Sequence, residues 1–300
     1  MARDAEQALA QLNGLSAPER AALARLAADF AVPAGGALFR QHDPSDGLYL
    51  IDSGTVAVTG RTPGDGHVAL AQLGPGAMLG EFCLLDGGRR SADAVAATDC
   101  AGWRLDLARF AGLQDAGDPA ALALAAALRA QVAARSHDLV TALAGSAAPA
   151  GPLPAGVAAA PDQLAARLHS FPGFDLFGPA DWQALAAAGH SHQQPRGQRL
   201  DGGPPQLWIV LRGALMWQTG NGLQLLVHGP GALAGSAAFV AGRPWPARLL
   251  VREDAELLAL PALPDGATGQ KLARMLGAAL VRDQRRLTRV RARLAAMEAA

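Results

Sequence analysis

The period of the apolar positions changes along this chain, and the changes divide it. Ser16-Ala17-Pro18-Glu19 carries a helix start: Ser caps it, Pro suits its first turn, and Glu completes a capping box. The pattern predicts that this helix continues through Ala21 to Phe30, up to the breaker Gly35-Gly36. Short apolar runs follow at Leu48-Tyr49-Leu50-Ile51, Thr55 to Thr59, His67 to Leu73, Ala92 to Ala97 and Ala101 to Leu105. Short strands at roughly 8–12-residue spacing, parted by Gly, Pro and Asp turns, predict an all-β sandwich or barrel. Asp118-Pro119 then opens a helix by the N-cap and N1 rules, and Leu122, Leu124, Leu128, Val132 and Leu139 carry it to about Leu143.

Gly145 to Pro161 is almost all Ala, Gly, Pro and Ser, a linker by composition. After it the pattern restarts. Gly178-Pro179-Ala180-Asp181 opens a short helix, Leu207 to Leu211 reads as a strand, and Thr219-Gly220-Asn221-Gly222 is a hairpin turn. A last helix is predicted over roughly Thr268 to Ala299. The restart is a repeat: Gly74-Pro75-Gly76-Ala77-Met78-Leu79-Gly80 matches Gly229-Pro230-Gly231-Ala232-Leu233-Ala234-Gly235 at an offset of 155. The same offset pairs Gly87 with Gly242, Asp99 with Asp254 and Leu105 with Leu260. The organisation expected is a β domain at 1–117, a connecting or dimerisation helix at 118–145, a linker at 146–164, a second β domain at 165–264 and an amphipathic helix at 265–300. That is a mainly β chain with helices, of the α+β class.

Composition narrows the function classes. Half of the 300 residues are hydrophobic and 17% are charged, enough to bury a core. The formal net charge is zero, so the charge balance gives no push towards nucleic acid, whose binding rests on Lys and Arg. Cys83 and Cys100 form no CxxC pair, which points to a reducing cytoplasm. No apolar run reaches the ~20 residues of a membrane span, and residues 1–12 hold no apolar core of signal-peptide length. The expectation is a cytoplasmic protein without a membrane partner.

The segment 80–92 carries the candidate chemistry. A cyclic phosphodiester needs a cation, donors for its exocyclic oxygens and an acceptor for the ribose 2′-hydroxyl. Arg90 has the fork geometry for two phosphate oxygens. Ser91 adds a hydroxyl and an N–H. Gly80 lets the backbone come close. Residues 82–85 fit a short helical turn with free N–H groups. Glu81 would repel a phosphate unless it accepts from a sugar hydroxyl.

Leu79-Gly80-Glu81-Phe82-Cys83-Leu84-Leu85 followed by Arg90-Ser91-Ala92 resembles the phosphate-binding cassette of cyclic-nucleotide-binding domains. Asp46 to Gly54 and Gly36 match as well. The resemblance covers roughly residues 12–145, and 165–295 more weakly. It implies two tandem eight-stranded β jelly rolls, each followed by a long helix. It implies a ligand, cAMP or cGMP, and no cofactor beyond it. Glu81 would accept from the ribose 2′-hydroxyl and Arg90 would pair with the phosphate. Ser91 and the N–H groups near Cys83 and Leu84 would complete the cradle, with Gly80, Phe82 and Ala92 in the same cassette. Base contacts would come from the helix behind the first domain, where Gln131, Arg135 and Ser136 offer side-chain hydrogen bonds. In the second copy the offset puts Ser236 at the place of Glu81, Trp245 at that of Arg90 and Pro246 at that of Ser91. That copy is therefore expected not to bind, with Trp245 filling the pocket.

Leu276, Leu280, Asp283, Leu287, Val290, Leu294 and Met297 form a heptad-like seam. A homodimer through helices 118–145 and 268–299 is the partner reading it supports. Arg282, Arg285, Arg286, Arg289, Arg291 and Arg293 read as spread around that helix, a solvated surface. Catalysis finds little support. Ser136-His137-Asp138 are adjacent on a helix and point apart, and His190 with His192 lacks a third metal ligand. The expected function is a cyclic-nucleotide sensor that signals through the helix and second domain, not an enzyme. A non-binding scaffold of two degenerate domains is the alternative. A transcription regulator is disfavoured because a second β domain stands where a helix-turn-helix would follow.

Overall fold

A computed structural model describes residues 5–61, 67–143, 150, 151, 153 and 155–298. The chain divides into two units, 1–128 and 129–300. The first unit opens with α1 (Ala5–Leu9) and α2 (Ala17–Ala24), the latter closed by the Ser16–Glu19 capping box. The helix does not continue to Phe30. Ala27–Val32 is a strand, β1, because every one of its residues pairs antiparallel with Leu105 back to Cys100. Long-range pairing overrides the helix preference of its alanines.

The strands that follow are β2 (Ala37–Phe39), β3 (Gly47–Ser53), β4 (Val56–Arg61), β5 (His67–Leu73) and β6 (Met78–Leu79). Next come α3 (Glu81–Asp86), β7 (Asp93–Ala96), β8 (Cys100–Asp106) and α4 (Leu107–Asp115). They form two four-stranded sheets, β1-β8-β3-β6 and β2-β7-β4-β5. Tyr49 and Ile51 from the first sheet meet Val56, Ala94 and Ala96 from the second in one buried cluster. This is the eight-stranded jelly roll. Its sheets turn the corner at Gly54, whose φ of +82° and approach to Asp99 O leave no space for a Cβ.

Helix α5 (Pro119–Leu143) follows, with the Asp118 carboxylate accepting from the Ala121 N–H at 2.9 Å. Its bounds match the expectation. The linker assigned to 146–164 is shorter than expected, since β9 (Val157–Ala158) pairs with His190 and Ser191, and α6 (Pro161–Leu168) starts inside it. The second unit continues with a 3₁₀ turn at Phe174–Leu176, α7 (Pro179–Ala188), β10 (His190–Gln194) and β11 (Leu207–Gln218). It ends with β12 (Gln224–His228), β13 (Leu233–Ala234), α8 (Ser236–Ala241), β14 (Arg248–Leu260) and α9 (Gly266–Glu298).

Here β11 and β14 each run as one long strand through the corner that splits β3 from β4 and β7 from β8. Bulges between Val210 and Leu215 make the bend. Gly213 has the φ of Gly54, at +78°, and approaches Asp254 O as Gly54 approaches Asp99 O. The offset is 159 at this corner and 155 at the cassette, so the intervening hairpin is four residues shorter in the second unit. The core of that unit takes Leu139 and Val140 from α5, together with Leu287 from α9.

Candidate functional site

In the first unit the cassette is the turn from β6 into α3. Gly80 is its N-cap at φ +79°, and Gly87 ends the helix at φ +61°. Both values are cheap only for glycine. At Gly80 the reason goes further: a Cβ there would lie 1.9 Å from Arg90 Nη1 and 3.0 Å from Gly47 O. The guanidinium rests directly on the Gly80 backbone.

Arg90 is buried, at 3% exposure. Its Nη2 donates to the Asp46 carboxylate and to Gly47 O at 2.7 Å, and its Nη1 faces the Cys83 sulfur at 3.9 Å. The plane lies 4.1 Å from the Phe39 ring centroid and 5.5 Å from that of Tyr49, within cation–π range. Nε is buried without a hydrogen-bond partner. The loop before β3 wraps this arginine: the Arg90 N–H donates to Asp43 O, and the His42 N–H donates to Arg90 O. Arg89 turns outward and donates to His42 O at 2.7 Å.

Asp46 is the hub. It accepts from the Tyr49 hydroxyl at 2.7 Å and from Arg104 at 2.8 Å, besides Arg90. Burial works to raise its pKa, but the bonds from Tyr49 and Arg90 outweigh it and hold the carboxyl below its ordinary value. Tyr49 is pushed up to about 12, by burial first and then by the Asp46 bond. Burial also pushes the Cys83 thiol up to about 11, so it is no nucleophile at neutral pH.

The expected cassette residues converge in this unit. Glu81, Cys83, Leu84 and Ala92 are buried, Phe82 is half-buried, and Ser91 is exposed next to Arg90. One expected donor is used internally: the Cys83 N–H donates to Gly80 O at 3.2 Å. Asp46, Tyr49, Arg104 and Phe39 were not read as site residues. The motif spacing holds Asp46 and Tyr49 together, but nothing local links them to an arginine 44 residues on.

The three base-contact candidates belong to the second unit. Ser136 is buried and donates to Gln284 on α9. Gln131 Oε1 is buried without a partner, and Arg135 lines a groove of that unit. Their part of α5 packs into the second core.

The second unit repeats the cassette backbone. Gly235 caps α8 at φ +79° and Gly242 ends it at φ +62°. The side chains differ as the sequence shows. Ser236 is buried and spends its hydroxyl on Leu233 O at 3.0 Å. Trp245 lies 5.7 Å from Trp217 and edge-on to His137 at 5.9 Å, packed on the core. The cavity left beside it measures about 10 Å³, at most one water. Next to it His228 on β12 and Asp283 on α9 lie 3.7 Å apart, both buried. Burial lowers the pKa of His228 and raises that of Asp283, so both move towards their neutral forms. Arg243 pairs with Asp138 at 3.8 Å. Ser136 donates to Gln284 instead, while His137 Nδ1 lies 4.0 Å from the Asp138 carboxylate, so the three do not line up as a triad. His192 packs edge-on against Trp208 at 5.5 Å, and among the described residues no group of three metal-binding side chains occurs.

Residues 30–116 match the family model of the cyclic nucleotide-binding domain. The match runs from within β1 through α4 and takes in the whole cassette, and it bears out the resemblance read from residues 80–92. Over 67 residues, 22% of this chain, the sequence is 46% identical to the cyclic AMP receptor protein of Thermus thermophilus, of which the match spans 31%. The chain is also similar to the crystal structure of the Thermus thermophilus catabolite activator protein, at 29% identity and a TM-score of 0.35, over 52% of this chain and 78% of that one. A third likeness is the regulatory domain of Toxoplasma gondii PKA with cAMP, at 16% identity and a TM-score of 0.36, over 86% and 87% of the two chains. Among the described residues no helix is long and apolar enough to cross a membrane.

Proposed function

We propose that this chain is a regulatory protein, not an enzyme, that takes one cyclic nucleotide, cAMP or cGMP, in its first β domain. The observation that carries the reading is the buried Arg90 guanidinium lying on the Gly80 backbone, inside a segment of matching family sequence. Arg90 pairs with the cyclic phosphate, sharing its charge with Asp46. Ser91 donates its hydroxyl from the exposed side, and Glu81 accepts from the ribose. The second domain takes none, because Trp245 stands where the cation would be and fills the space. Two buried free thiols, Cys83 and Cys100, fit a reducing cytoplasm as the place of work.

Isothermal titration of the full chain with cAMP and with cGMP tests this. One nucleotide should bind per chain. Ser91→Ala should weaken it by about tenfold, the worth of one hydrogen bond to a charged group, and Arg90→Ala should abolish it. The absence of heat with either nucleotide would leave the scaffold reading in its place.

A further inference from the structure

The second unit holds a groove that the nucleotide reading does not use. It lies between the C-terminal end of α5, the hairpin turn at Asn221–Leu223 and the last turns of α9, and measures about 1130 Å³. Two turns of an α-helix ~10 Å across occupy roughly 850 Å³. Leu139, Leu143, Leu223 and Leu294 line its apolar part, while Arg135 and Arg291, both exposed, line its rim. Among its described lining residues the carboxylate is that of Asp138, which also faces Arg243.

Residues 282–297 contain six arginines and one acid, Asp283, which is buried. The arginines are not evenly spread. Arg282, Arg286, Arg289 and Arg293 recur at intervals of four, three and four, so they share one exposed helical face on the side of α9 away from the groove, and Arg291 is the one that lines it. Met297, at the tip of the seam, is 75% exposed.

We propose that this groove docks an acidic amphipathic helix of a partner protein, leucine-type side chains against Leu139, Leu143, Leu223 and Leu294 and carboxylates against Arg135 and Arg291. The inference is independent of nucleotide binding. Charge decides among the occupants. A second copy seated on this face would form an isologous contact and set the Arg135 and Arg291 rims against each other. The homodimer expected through helices 118–145 and 268–299 is thus disfavoured at this surface. Nucleic acid would satisfy the arginines and leave the leucine floor wet. An amphipathic helix with acidic flanks satisfies both, by the helix-in-groove mode.

Fluorescence anisotropy on the full chain tests it, with a labelled heptad peptide carrying Leu at a and d and Glu at e and g, and a counterpart with Lys for Glu. The Glu peptide should bind at least about tenfold more tightly than the Lys peptide. The double variant Arg135→Glu/Arg291→Glu changes two exposed side chains and should invert that preference. Leu294→Asp should remove binding of both. Equal binding of the two peptides, or none, would overturn the proposal. So would a dimer in sedimentation velocity that Leu294→Asp dissolves, which makes the occupant a second copy. Displacement of the Glu peptide by a short DNA duplex would overturn it in favour of nucleic acid.

Discussion

Gly80 and Arg90 share one space, and two glycine substitutions separate what that space does from what the backbone demands. Gly80 and Gly87 both sit at positive φ, so alanine at either costs roughly 1–2 kcal/mol. A Cβ at Gly87 meets nothing within 4 Å, whereas one at Gly80 displaces the guanidinium. Gly87→Ala should lower the thermal midpoint and leave nucleotide affinity unchanged. Gly80→Ala should lower both, with affinity down by more than about tenfold because the charge-assisted contact is lost. Calorimetry on the two variants checks this. Asp46 offers a second test by pH. Its folded pKa is depressed, so its contribution is present above the ordinary carboxylate value of about 4 and is lost as pH falls through the lower folded value. Asp46→Asn should therefore lower the melting temperature most near neutral pH. The difference from wild type should shrink on acidification below about pH 4, and a constant difference across that range would remove Asp46 as the hub.

Helices α3 and α8 are the same element with opposite uses. Each runs six residues between two left-handed glycines, and in each the strand-to-helix turn brings the backbone close. The first ends in a segment that buries a cation, the second in one that packs a half-buried indole on the core. Trp245→Ala should destabilise the second unit by roughly 3 kcal/mol, as loss of a large packed aromatic does. It should bring no second nucleotide, since no guanidinium stands in place of the lost ring; denaturation with titration of the same variant reads both. The cassette was legible in the sequence because its glycines, acid, arginine and serine lie within thirteen residues of one another. Helix α5 was legible for the same local reason, its Asp118-Pro119 start. Strand β1 was not, because Ala27 to Val32 becomes a strand only by pairing with Leu105 to Cys100. The grip of Asp46 on Arg90 was hidden by a like separation. The stripe of Arg282, Arg286, Arg289 and Arg293 was present in the spacing, and is evident once α9 is seen as unbroken.

At the scale of the molecule, domain boundaries read from composition and boundaries set by packing differ. The sequence puts a connecting helix at 118–145 and starts the second domain at 165. The structure assigns residues 129–143 to the second unit, because their apolar face is built into its core. Leu139 and Val140 are buried there at 8% and 0% exposure. His137 covers Trp245, and Ser136 bonds Gln284. A chain that begins after the helix loses all four at once. Burial of Leu139 and Val140 alone contributes roughly 1.5–3 kcal/mol each, partly offset by the entropy of ordering the helix. A fragment of residues 118–300 should therefore unfold at higher denaturant than one of 150–300, by about 3 kcal/mol in extrapolated stability, with Trp245 fluorescence shifted to the red in the shorter one. Equal midpoints and spectra would mean that the second half of α5 adds nothing to the unit it packs in. A clear gap would make that helix a structural part of the second unit, so that any change carried along α5 arrives inside the core beside Trp245.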